Sequence, residues 1–294
     1  DNATRLDPSV PTFPAMLQKA GYQTALIGKW HLRSDPVGFD HWEVLPGQGH
    51  YYGPDFRSAS GSRRIHGYVT DITTNLALDW LTQHRDPERP FLLMLQHKAP
   101  HRNWMPGPDH LYTLDDADVP VPDTLLDDWQ GRPAAQVQEM TIADHTHDFY
   151  DLKVDAAHGN VNDQGPDQWM SHVLDRMTSE ERAEWDQAYA SRNADYAKAM
   201  ERISQMRDPE AAVAARKELR YQRYINDYVR CIASVDDSVG RVLDWLDTTH
   251  LADNTLVIYT SDQGFFLGEH GWYDKRFMYE PSLQVPLLMR WPQV

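Results

Sequence analysis

The stretch Gln23-Thr-Ala-Leu-Ile-Gly28-Lys29-Trp30-His31 decides the fold. Its first residues make a short apolar run that reads as a buried strand, and a glycine, a lysine and a histidine follow at the carboxyl end. Upstream, Pro11-Thr-Phe-Pro-Ala-Met-Leu-Gln-Lys-Ala-Gly21 predicts a short helix, with Thr12 as cap, proline in the first turn and glycine just past the end. Downstream, the chain is expected to be loop-like to about Gly67. Val69, Ile72, Leu76 and Trp80 then recur at helical spacing up to Arg85-Asp-Pro, and Phe91-Leu-Leu-Met-Leu95 reads as a second buried strand. Gln96-His97-Lys98-Ala-Pro-His101-Arg102 follows it, a second basic and imidazole cluster at a strand's carboxyl end.

From Trp104 to about Arg207 the sequence is rich in Asp, Pro, Trp and His with weak periodicity, which predicts an irregular insertion holding one or two polar helices. Leu219, Tyr224, Tyr228, Ile232, Val235, Val239, Val242 and Leu246 mark a long helix that should pack across a sheet. Thr255-Leu-Val-Ile-Tyr259 is a third expected buried strand, delivering Thr260-Ser261-Asp262-Gln263-Gly264, and Val285-Pro-Leu-Leu-Met-Arg-Trp291 reads as another strand. Alternating helices and continuously apolar strands predict an α/β fold, a mainly parallel sheet sandwiched by helices. Ligands of such sheets bind outside the carboxyl ends of the strands, where all three clusters stand.

Composition narrows the function. With 294 residues and 41% hydrophobic content the chain can bury a sizeable core. Its 44 acidic against 28 basic residues give a net charge of -16, which repels polyanions at long range, so nucleic acid is not an expected partner. The single cysteine, Cys231, rules out an internal disulfide and a thiolate zinc cage. No stretch approaches the roughly 20 apolar residues of a membrane span, so no membrane partner is expected, and Asp1–Val10 carries no signal pattern.

Gly21-Tyr-Gln-Thr-Ala-Leu-Ile-Gly28-Lys29-Trp30-His31 closely resembles a signature of the sulfatases, formylglycine-dependent members of the alkaline phosphatase superfamily. His97-Lys-Ala-Pro-His101 resembles that family's Pro-His element, and Ser261-Asp262-Gln263-Gly264-Phe-Phe-Leu-Gly268-Glu-His270-Gly-Trp-Tyr-Asp-Lys275 its metal and sulfate segment. The resemblance implies that Lys29 and His31 hold a formylglycine hydrate, that His101 contacts the sulfate ester, and that Lys275 binds sulfate. It also implies that Asp262 and Gln263 complete the site of one divalent cation, calcium before magnesium, whose preference for oxygen ligands suits an aspartate and an amide. Gln263 departs from the commoner Asn or His of that position. His270, Arg102, Asn103 and Trp104 are candidates for substrate contact, with His97 and Lys98 as second choices near His101.

Formylglycine is made from a Cys/Ser-x-Pro-x-Arg motif, and no such motif is present: Cys231 lies in Arg-Cys-Ile-Ala-Ser, and Ser34-Asp-Pro-Val-Gly lacks the arginine. No nucleophile is assigned. The nucleophile segment, with two further metal-binding aspartates, is expected upstream of Asp1. Residues 1–294 are thus expected to be the central part of a catalytic domain, with the insertion at about 104–207, lacking the nucleophile segment and a C-terminal subdomain, and inactive alone.

Further likeness in Trp30–Asp40, Leu45–Tyr52, His97–Trp104 and Lys275–Glu280 points to a bacterial branch of N-acetylglucosamine-6-O-sulfatases acting on mucin-type glycans and glycosaminoglycans. That implies a sulfated glycan substrate and a secreted or periplasmic enzyme. Two other readings stand beside it: a phospho- or phosphonate monoester hydrolase of the same superfamily, and a non-catalytic sulfoglycan-binding relative. Asp144-His-Thr-His-Asp148 looks superficially like a metal cluster but is read as a solvated polar segment, and Trp129, Trp169 and Trp185 are expected to pack the insertion.

Overall fold

The computed structural model describes residues 5–115 and 117–292. The expected 1–294 span, and Asp116 of the expected insertion, therefore extend outside the described residues. In chain order the helices are α1 (Phe13–Lys19), α2 (Val69–Asp79), α3 (Pro133–Gln136), α4 (Ile142–His145), α5 (Gly165–Leu174), α6 (Ser179–Ser204), α7 (Pro209–Thr248) and α8 (Glu280–Leu283). The strands are β1 (Gln23–Lys29), β2 (His41–Leu45), β3 (Asp55–Ser58), β4 (Gly61–Arg64), β5 (Phe91–Gln96), β6 (Val257–Thr260), β7 (Phe266–Leu267), β8 (Tyr273–Asp274) and β9 (Leu287–Arg290). The chain divides into two units, one of residues 1–101, 173–182 and 232–245, the other of 102–172, 183–231 and 246–294.

The first unit is built on a five-stranded sheet in the order β4-β3-β2-β1-β5. Its centre is parallel, β1 pairing with both β2 and β5, while β2, β3 and β4 run antiparallel at one edge. Ala25, Leu26 and Ile27 are wholly enclosed. Ala25 and Ile27 pack with Ala77 of α2 and with Trp80 and Leu81 in the turn just beyond it, and Phe91, Leu93, Leu95 and Trp245 close around them. Burying a leucine or isoleucine side chain contributes about 1.5–3 kcal/mol, so this apolar run anchors the sheet.

The loop expected up to Gly67 instead contains β2, β3 and β4. Polar contacts hold them: Arg64 pairs with Asp55 at 3.1 Å, Arg63 with Glu43 at 2.7 Å, and Arg176 reaches Asp55 at 2.7 Å. An arginine-rich, exposed edge such as β4 resists further strand addition but leaves no apolar run to read in the sequence.

In the second unit the third expected strand is present as β6, but not as a buried one. It pairs antiparallel with β9 in a two-stranded ribbon, on which Ile258, Leu287, Leu288 and Met289 are all more than half exposed. The expected polar helices of the insertion are α5 and α6, and the long amphipathic helix is α7, 40 residues long. Among the described residues no helix is long and apolar enough to cross a membrane.

Gly28 is where β1 needs a glycine. Its φ is 110°, and a Cβ there would lie 1.9 Å from the carbonyl oxygen of Gln96 on β5. Gly21, with φ 96°, has nothing within 4 Å of the same position. In the full-length protein Gly28→Ala should cost about 2–4 kcal/mol, through strain plus collision with a strand that cannot retreat. Gly21→Ala should cost about 1 kcal/mol from backbone strain alone. Denaturant titration of both variants tests this, and equal losses would show that the Gln96 contact is not limiting.

Candidate active site

In the first unit, the parallel pairing sets Gly28 against Gln96, so Lys29 and His31 leave the sheet at the same end as His97, Lys98 and His101. His31 turns the chain with a left-handed φ of 47°. A loop that follows β2 braces the second cluster. Lys98 is buried, its Nζ donating to the Gln48 carbonyl at 3.2 Å and lying 4.7 Å from the centre of the Tyr51 ring. The Tyr51 hydroxyl donates to the His101 carbonyl at 2.8 Å. Tyr51 thus holds the backbone of His101, while Gln48 holds the side chain of Lys98. Sequence reasoning singled out their segment only by likeness, because nothing in local periodicity links positions 50 residues apart.

His97 turns into the core. Its Nε2 is 2.9 Å from the Ser238 hydroxyl, which lies 2.5 Å from the Thr74 hydroxyl, and Thr74 donates to the Thr70 carbonyl. Its Nδ1 is enclosed without a hydrogen-bond partner among the described residues, and burial pushes the imidazole down to about 4. A neutral ring tied to α2 and α7 is a packing group, which sets His97 apart from His101.

In the second unit, Asp262 and Gln263 stand exposed just beyond β6. Among the described residues their side chains have no hydrogen-bond partner, while the Ser261 hydroxyl donates to the Gln263 carbonyl at 3.0 Å. β7 and β8 form a short hairpin, pairing Phe266 with Asp274. The next position therefore sets Lys275 against Phe265, two residues past Gln263, and the Lys275 ammonium lies 5.9 Å from the Phe265 ring centre. It makes no hydrogen bond or ion pair among the described residues. The hairpin thus sets Lys275 beside the segment that carries Asp262 and Gln263, with Phe265 as the residue it meets.

A carboxylate and an amide oxygen, both open, fit a hard cation, which takes six to eight oxygen ligands when it is calcium. Among the described residues no group of three or more His, Cys, Asp or Glu is set to hold a metal. The pair would therefore supply only part of a coordination sphere.

Trp104 is 1% exposed, packed 4.3 Å from Tyr224 and 5.7 Å from Phe265 between ring centres. It supports the ring beneath Lys275 and has no open face to offer a sugar. Asn103 is 2% exposed and donates to the Tyr150 carbonyl at 3.3 Å. Their neighbour Arg102 remains partly open, forked onto Asp151 through two bonds of 2.6 Å and lying over the rings of Tyr150 and Tyr273. Of the three consecutive candidates, only Arg102 is placed to touch a ligand.

His270 is held in a left-handed turn, φ 58°, between β7 and β8. Its Nδ1–H donates to Asp127 at 2.6 Å, its carbonyl accepts from the Trp129 indole at 2.9 Å, and its amide donates to Thr124. Arg132 and, after it, the Trp129 amide and His270 hold the Asp127 carboxyl well below the usual range, against the cost of burial. Asp127 lies in a stretch without periodicity, so the sequence gives no sign that it orients a histidine 143 positions away. Within Asp144–Asp148, Asp144 pairs with Arg216, Asp148 with Arg220, and His145 lies 2.8 Å from the Thr141 hydroxyl. Trp185 is buried against Tyr189, Trp129 stacks on Trp272, and Trp169 packs against Tyr150 while remaining 37% exposed.

Comparison with known proteins matches residues 2–294 to the family model described as Sulfatase. The N-acetylglucosamine-6-O-sulfatase of Bacteroides thetaiotaomicron is 44% identical over 297 residues, covering 100% of this chain and 51% of that protein. Human N-acetylglucosamine-6-sulfatase is 24% identical over 301 residues, covering 96% of this chain and 42% of that protein. A solved structure of a protein in complex with its substrate D-glucosamine-2-N,6-O-disulfate superposes with a TM-score of 0.86 at 43% identity, covering 100% of this chain and 57% of that one. The chain thus spans about half the length of the relatives it matches.

Two outcomes follow from the geometry. An unfolded histidine binds its proton near 6.5 and folded His97 only near 4. Acidification between those values therefore favours unfolding, by on the order of 1 kcal/mol per pH unit. Proton NMR of the His97 ring should show a midpoint near 4, and a midpoint near 6.5 would sink the buried assignment. Asp127→Asn should remove the low-field Nδ1–H resonance of His270 while the fold persists by circular dichroism; a retained resonance would mean that another group orients the ring.

Proposed function

Because the chain belongs to the sulfatase family, we propose that the full-length protein hydrolyses sulfate esters on glycans, with the 6-O-sulfate of N-acetylglucosamine as its substrate group. The observation that carries this reading is Lys275, an ammonium set over Phe265 without a hydrogen bond among the described residues, in the same segment as the open carboxylate of Asp262. An ammonium without an internal counter-ion is open to an external anion. The family match over the whole chain supports sulfate as that anion.

In this reading Lys275 neutralises charge that grows on the sulfate oxygens, and, by family resemblance, Lys29 and His31 have the role of holding the group that attacks sulfur. His101 gives a proton to the departing sugar oxygen as the sulfur–oxygen bond breaks. The attacking oxygen comes from a residue outside 1–294, expected as formylglycine. A divalent cation held in part by Asp262 and Gln263, calcium by preference, would withdraw charge from the same oxygens. The net charge of -16 repels a sulfated polymer at long range, so capture depends on these few cations at short range. Mucin-type glycans and glycosaminoglycans are the natural sources of such esters, and a secreted or periplasmic enzyme would meet them.

Sulfate release from N-acetylglucosamine 6-sulfate by the full-length protein tests the proposal. Lys275→Ala should lower kcat/KM by about a hundredfold or more, the loss expected of a preorganised electrostatic contact. Turnover near that of the unaltered protein would remove Lys275 from the site, and absence of sulfate release by the unaltered protein would remove the activity.

A further inference from the structure

The second unit contains a cavity of about 370 Å³, within the range of small-ligand sites, that the chemistry above does not use. Arg102, His147, Tyr150, Pro166, Trp169 and Tyr273 line it. We propose that it is a subsite for an unsulfated sugar ring, seated on the indole of Trp169 and hydrogen-bonded by Arg102 and His147. The proposal rests on the glycan-sulfatase reading, since the ring would belong to the same substrate as the sulfated sugar.

Three features point to a neutral sugar. Asp151, whose side chain is wholly buried, already meets Arg102 through both of its oxygens, so the guanidinium can donate without presenting uncompensated charge to a sulfate. Trp169 is 37% exposed, and its ring is held against that of Tyr150, the two lying 5.7 Å apart at 66°. An exposed yet preoriented indole offers the flat apolar surface that a pyranose's C–H face needs, at little entropic cost. The ring nitrogens of His147 have no partner among the described residues, while its amide is tied to Asp151 at 2.8 Å, so the imidazole is anchored and still able to bond a hydroxyl.

The wall is rigid as well. Arg102 lies between the rings of Tyr150 and Tyr273, and the Tyr273 hydroxyl donates to the His145 carbonyl at 3.1 Å. Asp167, in the first turn of α5, accepts from the Tyr150 amide at 3.0 Å and ties the helix that carries Trp169 to the opposite wall. Arg102 also directly follows His101 in the chain, which ties this wall in sequence to the group proposed to protonate the leaving oxygen.

The test is a calorimetric titration of the full-length protein with N,N′-diacetylchitobiose, an unsulfated disaccharide, repeated in saturating inorganic sulfate. Binding should survive the sulfate, weaken about tenfold or more in Trp169→Ala, and be largely retained in Trp169→Phe, which keeps a flat ring. Absence of binding, equal affinity in Trp169→Ala, or displacement by sulfate would overturn the subsite. Sulfate release from N-acetylglucosamine 6-sulfate, measured on the same preparations, reports separately on the sulfatase reading. Disaccharide binding without sulfate release would leave the subsite standing and remove the activity.

Discussion

The close approach of β1 to β5 is the constraint on which the first unit depends. Two parallel strands can send their carboxyl ends to one place only if their backbones run side by side there, and at Gly28 the Gln96 carbonyl occupies the space of a side chain. The apolar residues before it fix the strand by burial, and the absent Cβ then permits the contact. Lys29 and His31, which follow from one strand, and His101, which follows from the other, inherit their common edge from this pairing. The hydrogen bonds from Lys98 and Tyr51 only refine a placement already made.

The second unit solves a different problem, that of holding many charges in a partly buried setting. Taking an ion out of water costs several kcal/mol unless it is paired and hydrogen-bonded. Asp151 meets Arg102 and the His147 amide; Asp227 meets Arg230 at 2.9 Å and Lys153 at 3.5 Å; Asp127 meets Arg132 and His270. Lys275, over the ring of Phe265, and Asp262 and Gln263, in solvent, stand apart from this rule. Where nearly every buried charge is matched internally, the unmatched polar groups mark where external chemistry can enter.

Both units use aromatic rings as supports for cations. Tyr51 lies beneath Lys98, Phe265 beneath Lys275, and Tyr150 and Tyr273 flank Arg102. Such contacts supply about 0.5–2 kcal/mol while leaving hydrogen-bonding capacity in the ammonium or guanidinium. The buried Trp104 packs against Phe265 and so supports, from the core, the ring beside Lys275.

The sequence by itself determined the α/β class, the helices flanking β1, the long α7, the two basic clusters after β1 and β5, and the family. Each of these rests on local signals, namely continuous apolar runs, helical spacing, or short motifs whose residues are neighbours in the chain. Only the tertiary structure decided that β2, β3 and β4 extend the sheet, since they are held by backbone pairing to β1 and to one another, and their buried residues Val44, Leu45 and Phe56 are too scattered to form an apolar run in the sequence. It alone placed β6 in an exposed ribbon with β9, because a short apolar run looks the same whichever partner it finds. It also separated His101 from His97, Arg102 from Asn103 and Trp104, and Trp169 from the other tryptophans. Neighbours in a loop share a composition, but the direction each side chain takes is set by what packs against it, and those partners lie tens to more than a hundred residues away.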